Sequence, residues 1–135
     1  MARNKQLLGL DVGAARIGVA LADTGVHIAI PHDWIEVDGT EIAVIAELVI
    51  KNEIDVIVVG YPRNQSGEAT QQTAYVEEFA KQLADFDAKL VFQDESLTSV
   101  IAEQRLASRR KNYTKGDIDS EAAAIILQDY MEQNS

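Results

Sequence analysis

The sequence predicts an α/β protein built on a mixed five-stranded sheet with helices on both faces. Three observations lead there. Residues 55–60 run almost wholly in valine and isoleucine, as a strand covered on both faces does. Residues 6–12 and 16–22 are two apolar runs joined by Gly13-Ala14-Ala15, a small-residue turn that suits an antiparallel hairpin. Beyond them, apolar positions alternate between strand and helix periodicity, giving the order β, β, β, α, β, α, β, α, α.

Each further element has its own signal. The stretch 27–37 is rich in β-branched residues but carries Pro31, which confines a strand to a sheet edge or a bulge. Asp38-Gly39-Thr40-Glu41 then opens a helix, with Asp38 expected as N-cap and Glu41 reaching back to it. Positions 42, 45, 46, 49 and 50 supply the buried face of that helix. A loop of Pro, Asn, Gly and Ser spans 61–67, followed by a helix over 68–83 and a short strand over 89–92. A helix over 97–109 leads into a polar, basic segment, and a last helix is expected over 118–131. With 135 residues, 47% of them apolar, and no repeat or linker, the chain reads as one domain over 1–135.

Right-handed helical crossovers set the strands near 55–60 and 89–93 parallel. If the first strand runs with them, three carboxyl ends share one sheet edge, where open α/β sheets place their ligands. Those ends carry Asp11-Val12-Gly13, Gly60-Tyr61-Pro62 and Asp94-Glu95. A carboxylate just past a buried strand is costly unless it is solvated, hydrogen-bonded or metal-bound. Either acid alone reads equally well as an acceptor for backbone N–H groups in its turn. Asp11 and Glu95 at equivalent positions are harder to explain that way.

Asp119 is the third candidate. As an acid opening the last helix it suits an N-cap and complements the helix dipole. Yet positions 122, 123 and 126 are Ala, Ala and Ile, so Asp119 extends an apolar stripe that faces the protein, whereas Glu121 points elsewhere. The small alanines would let this helix approach the sheet and bring the acid to Asp11 and Glu95. Three carboxylates converging without a cation repel one another and raise a pKa. Mg²⁺ or Mn²⁺ resolves the conflict, because both accept oxygen ligands from a few carboxylates together with substrate phosphates. Such a site can activate water for phosphodiester hydrolysis. The expectation is a metal-dependent nuclease in which Asp11, Glu95 and Asp119 are both metal ligands and catalytic groups.

Charge narrows the partners. A formal charge of −10 argues against broad, non-specific attraction to nucleic acid. Five of the twelve basic residues, Arg105, Arg109, Arg110, Lys111 and Lys115, nevertheless fall in an acid-free run. Arg16, Arg63, Arg109, Arg110 and Lys111 are the candidate phosphate contacts, and each reads equally as an ordinary solvated cation. Aromatic residues make up 6% of the chain with no stacking platform in view, so recognition of structured RNA would rest on shape and backbone contacts. His27 and His32 are spaced poorly for zinc, no Gly-Lys-Ser or Gly-Lys-Thr turn forms a P-loop, and cysteine is absent. No signal-like or membrane-spanning run is present, so a cytoplasmic location and no membrane partner are expected.

Four motifs in order carry a family resemblance. They are Leu10-Asp11-Val12-Gly13 followed by Arg16-Ile17-Gly18; Gly60-Tyr61-Pro62 with Asn64 and Gly67; Asp94-Glu95-Ser96-Leu97-Thr98-Ser99; and Ile118-Asp119-Ser120 before an alanine-rich helix. The chain resembles, nearly end to end, the YqgF/RuvX-like proteins, described as Holliday-junction-resolvase-like and as pre-16S rRNA nucleases. The resemblance implies a ribonuclease H-like fold, Asp11, Glu95 and Asp119 as the acidic site, and a role in maturing the 5′ end of 16S rRNA. Branched DNA is the alternative substrate, and a non-catalytic ribosome-assembly factor is the alternative class. An actin-like ATPase would need two domains closing over a nucleotide, for which the chain is too short. Tyr61 and Arg63 depart from the aliphatic residues that flank this proline more often in the family, which implies altered substrate contacts. Monomer and homodimer stay open, and symmetric cleavage of a junction would need two active sites.

Overall fold

A computed structural model describes residues 4–62, 70–95, 98–109 and 112–134. Five strands and four helices follow one another as β1 (Gln6–Val12), β2 (Arg16–Asp23), β3 (Ile28–Glu36), α1 (Glu41–Lys51), β4 (Val56–Pro62), α2 (Gln71–Lys81), β5 (Lys89–Glu95), α3 (Thr98–Arg109) and α4 (Lys115–Gln133). The strands make one mixed sheet in the order β3-β2-β1-β4-β5. β1, β2 and β3 are antiparallel neighbours, while β1, β4 and β5 run parallel. The parallel half therefore delivers three carboxyl ends to one edge, as the crossover rule requires.

The sheet separates two cores. On one face Leu8, Leu10 and Val12 of β1 meet Ile57 and Val59 of β4 and are covered by Ile45 of α1 and by Val76 and Phe79 of α2. On the other, Leu7, Ala20 and Val58 pack against Ala123, Ile126 and Leu127 of α4. Alternation along β1 does this sorting, because successive side chains leave opposite faces. Leu8, Leu10 and Leu127 have no exposed surface, and each stabilises the fold by about 2 kcal/mol through burial. α3 lies outside α4, joined to it by Ala102, Ala122 and Ile125.

Pro31 sits in the edge strand β3, opposite Ala20, and the β2–β3 register shifts between Val19 and Ala20. Proline has no N–H for the ladder, which accounts for both facts.

Three boundaries differ from the pattern-based expectation. α1 begins at Glu41 with Thr40 as N-cap, not Asp38. Gly39 adopts φ 101°, turning the chain so that Asp38 Oδ1 accepts the Thr40 N–H at 2.9 Å and the Thr40 hydroxyl at 2.6 Å in the turn before the helix. β5 extends through Glu95 because the parallel partner holds its polar end, with Tyr61 opposite Asp94 and Pro62 opposite Glu95. α4 begins at Lys115, where Thr114 and Asp117 form a reciprocal capping box. Asp119 is thus inside the helix and is not its cap. The expected start of α2 near residue 68 falls outside the described residues, and its helical span opens at Gln71 behind a Thr70–Thr73 capping box.

Candidate active site

Glycines bring the acids together. Asp11, near the end of β1, pairs across the hairpin with Gly18. A Cβ on Gly18 would stand 1.9 Å from the Asp119 carbonyl oxygen, so the α4 main chain rests directly on β2 beside Asp11. Gly9 repeats the approach one step along the same face of β1, where a Cβ would lie 3.0 Å from the Ala123 carbonyl oxygen. At the end of β4, a Cβ on Gly60 would meet Glu95 Oε2 at 2.3 Å and Ile126 Cδ1 at 2.6 Å. The Glu95 carboxylate therefore lies over Gly60, on the same face of the sheet as Asp11 and α4.

This placement is electrostatically costly for a site of protein atoms alone. Glu95 Oε2 is buried with no hydrogen-bond partner among the described residues. Burial pushes the Glu95 carboxyl up to about 7. Asp11 is held well above the usual carboxylate range, first by burial and then by the charges of Glu95 and Asp119. The three acids thus share one local field. Asp119 differs in having a counter-charge, since its Oδ2 accepts the Arg16 Nε–H at 2.7 Å. Among the described residues no three acids or histidines already form a closed ligand cage. An orphaned carboxylate oxygen beside a second carboxylate is a donor set for a hard divalent cation.

The remaining candidates divide. Arg16 joins the site. Arg109 donates through Nη2 to Glu121 Oε1, and Arg105 Nη1 lies 3.8 Å from Glu121 Oε2. Glu121 points away from the acids, as its spacing predicts, but its side chain is only 6% exposed, which the sequence did not suggest. Arg63, Arg110 and Lys111 lie outside the described residues. Tyr61 bonds through its hydroxyl to Glu77 of α2 and packs edge-on against Phe92 at 5.1 Å, on the sheet face opposite the acids. A cavity of about 740 Å³ beside that aromatic pair is likewise away from the acids. Gln72, which no motif singles out, donates to the Val12 carbonyl at 3.0 Å and ties the start of α2 to the end of β1. Only the fold reveals that contact.

A mixed sheet in the order β3-β2-β1-β4-β5, with helices on both faces, places this protein in the ribonuclease H-like class. The profile of the RuvX family, described as Holliday junction resolvase, matches residues 5–133, and the chain belongs to that family. A relative from Chloroflexus aggregans, provisionally named a pre-16S rRNA nuclease, is 42% identical over 131 residues, covering 93% of this chain and 92% of its own length. Another from Sulfurihydrogenibium sp. with the same provisional name is 37% identical, covering 96% and 92% of the two chains. Among solved structures, Thermus thermophilus RuvC in complex with a Holliday junction substrate aligns with a TM-score of 0.57 at 13% identity, over 96% of this chain and 95% of that one. Fowlpox virus resolvase with Holliday junction DNA gives 0.58 at 12% identity, over 96% and 98%. At such identities the structural likeness speaks to the fold alone.

Proposed function

We propose that this protein is a metal-dependent nuclease that hydrolyses phosphodiester bonds in structured RNA and matures the 5′ end of the 16S rRNA precursor. The observation that carries the reading is the unpartnered, buried Glu95 Oε2 at the sheet edge that also holds Asp11. The names of relatives at 37–42% identity over nearly the whole chain support the RNA substrate. Asp11, Glu95 and Asp119 are the proposed metal ligands, and Mg²⁺ or Mn²⁺ bound there would supply Lewis acidity and an activated water. The chain's own part is to keep the carboxylates together and to exclude competing hydrogen-bond donors from Glu95. Arg16, together with Arg110 and Lys111, would hold phosphates. We take residues 1–135 as one nuclease domain acting in the cytoplasm; no helix among the described residues is long and apolar enough to cross a membrane.

The test is cleavage of labelled precursor 16S RNA and of a four-way DNA junction, side by side, with Mg²⁺ or Mn²⁺. Wild type and Asp11→Asn are compared, with folding checked by circular dichroism. RNA cleavage that the folded variant loses is the expected result. Junction cleavage alone would move the substrate to branched DNA, and no metal-dependent cleavage of either would leave a non-catalytic assembly factor.

A further inference from the structure

Arg16 is the first residue of β2, and its backbone is fixed by the hairpin. Its carbonyl accepts the Gly13 N–H at 2.9 Å, and the next residue, Ile17, is fully buried. The Arg16 backbone is therefore anchored at the acid-bearing edge, while its side chain, 32% exposed, extends from it to Asp119. It reaches Asp119 through Nε alone, and its two terminal nitrogens make no other hydrogen bond among the described residues. An arginine cannot discharge itself by losing a proton in a protein. Of the three acids, then, Asp119 has a permanent cation as partner, while Glu95 keeps an orphaned oxygen.

Resting on the nuclease reading above, we infer that Arg16 is the resident counter-cation of Asp119, which it yields when a divalent ion enters, so that its freed guanidinium can take a substrate phosphate. Two facts support exchange over permanent pairing. The Nε–H already satisfies one carboxylate oxygen of Asp119, so an ion drawing on that carboxylate and the guanidinium compete for the same negative charge. A guanidinium and a divalent cation at one carboxylate also repel each other. The pair is partly exposed on both sides, 32% and 22%, so water can solvate each group as they separate. Arg16 then links two events at one carboxylate: loss of the ion pair, and exposure of a planar fork suited to phosphate oxygens. It is a positioning residue for Asp119 before the ion arrives and a phosphate ligand afterwards.

The experiment is Mn²⁺ binding by calorimetry, without nucleic acid, to wild type, Arg16→Gln and Arg16→Lys, each also in an Asp119→Asn background. Trp34, the single tryptophan, packs against Gly116 in the first turn of α4, and its fluorescence reports that each variant has folded. Arg16→Gln should bind Mn²⁺ at least about threefold more tightly than wild type, with Arg16→Lys between them. The gain should vanish with Asp119→Asn, because the competition is then already absent. If wild type binds Mn²⁺ and both Arg16 variants bind it equally or more weakly, Arg16 orients Asp119 without competing, and the inference fails alone. If neither wild type nor any Arg16 variant binds Mn²⁺, the metal reading of the site fails and this inference with it.

Discussion

Gly18 lies directly against Asp119: a Cβ at position 18 would sit 1.9 Å from the Asp119 carbonyl oxygen. That contact sets the height of α4 above β2, and Gly18 is also the hairpin partner of Asp11. A single methyl group therefore tests fold and site together. Gly18→Ala must push the helix backbone away, since a main-chain carbonyl cannot rotate aside as a flexible side chain can. The expected cost is about 2–3 kcal/mol of stability, in the range for overpacked interiors, with cleavage falling by more than the loss of folded protein explains. Urea denaturation alongside cleavage by the still-folded fraction measures both.

Glu95 predicts an unusual pH dependence for the metal-free protein. Its carboxyl titrates at about 7 when folded against 4.5 as an ordinary glutamate. Between those values the unfolded chain has released a proton that the folded chain retains, so stability falls as pH rises from 4.5 to 7 and levels off above. Asp11, raised by burial and by its acidic neighbours, acts in the same direction. The Glu95 part is on the order of 3 kcal/mol. Glu95→Gln should make the metal-free protein more stable at pH 8 and flatten the slope, while abolishing cleavage. Mn²⁺ should flatten the wild-type slope too, because it favours the ionised carboxylate. Thermal melts from pH 4.5 to 8.5, with and without chelator, give all three curves.

Arg109 and Glu121 predict a structural role for a residue that composition alone assigns to phosphate. Glu121 is buried between α3 and α4, and Arg109 is its close partner. Removing the cation leaves a buried charge, a change that costs 3–5 kcal/mol when both partners are enclosed. Arg109 is 57% exposed, and Arg105 remains 3.8 Å from Glu121, so about 1–2 kcal/mol is expected for Arg109→Ala. Adding Glu121→Gln should recover most of it. A double-mutant cycle by chemical denaturation reads the coupling, and equal losses with and without Glu121 would assign Arg109 to the surface.

The proposed function leaves Arg110 and Lys111 as the phosphate contacts to test in this segment. Replacing Arg110 and Lys111 with alanine should weaken RNA binding uniformly across sequences and reduce the slope of log K against log salt by about 1–2. Arg109→Ala should leave that slope nearly unchanged. Filter binding from 50 to about 300 mM salt separates the two classes.

The sequence by itself determined the sheet, the order of its elements and the edge that gathers Asp11 and Glu95. Apolar runs and their spacing are local properties, so residues 6–12, 16–22 and 55–60 specify strands wherever they pack, and the crossovers leave little choice of direction. Asp11 and Glu95 were legible for the same reason, being fixed to strand ends. Tertiary structure decided what depends on two distant segments meeting. Asp119 reads as a helix cap until Thr114 and Asp117 are found to cap α4 one turn earlier. Its partner Arg16 is 103 residues away, and no local pattern announces which cation an acid will choose. Tyr61 stands next in sequence to Gly60 at the site, yet alternation along β4 turns it to the opposite face, against Phe92 and Glu77. Gly18 and Gly60 were visible only as motif letters. Their function is to be empty where a helix backbone and a carboxylate come to rest, and that space exists only once the sheet and α4 are packed.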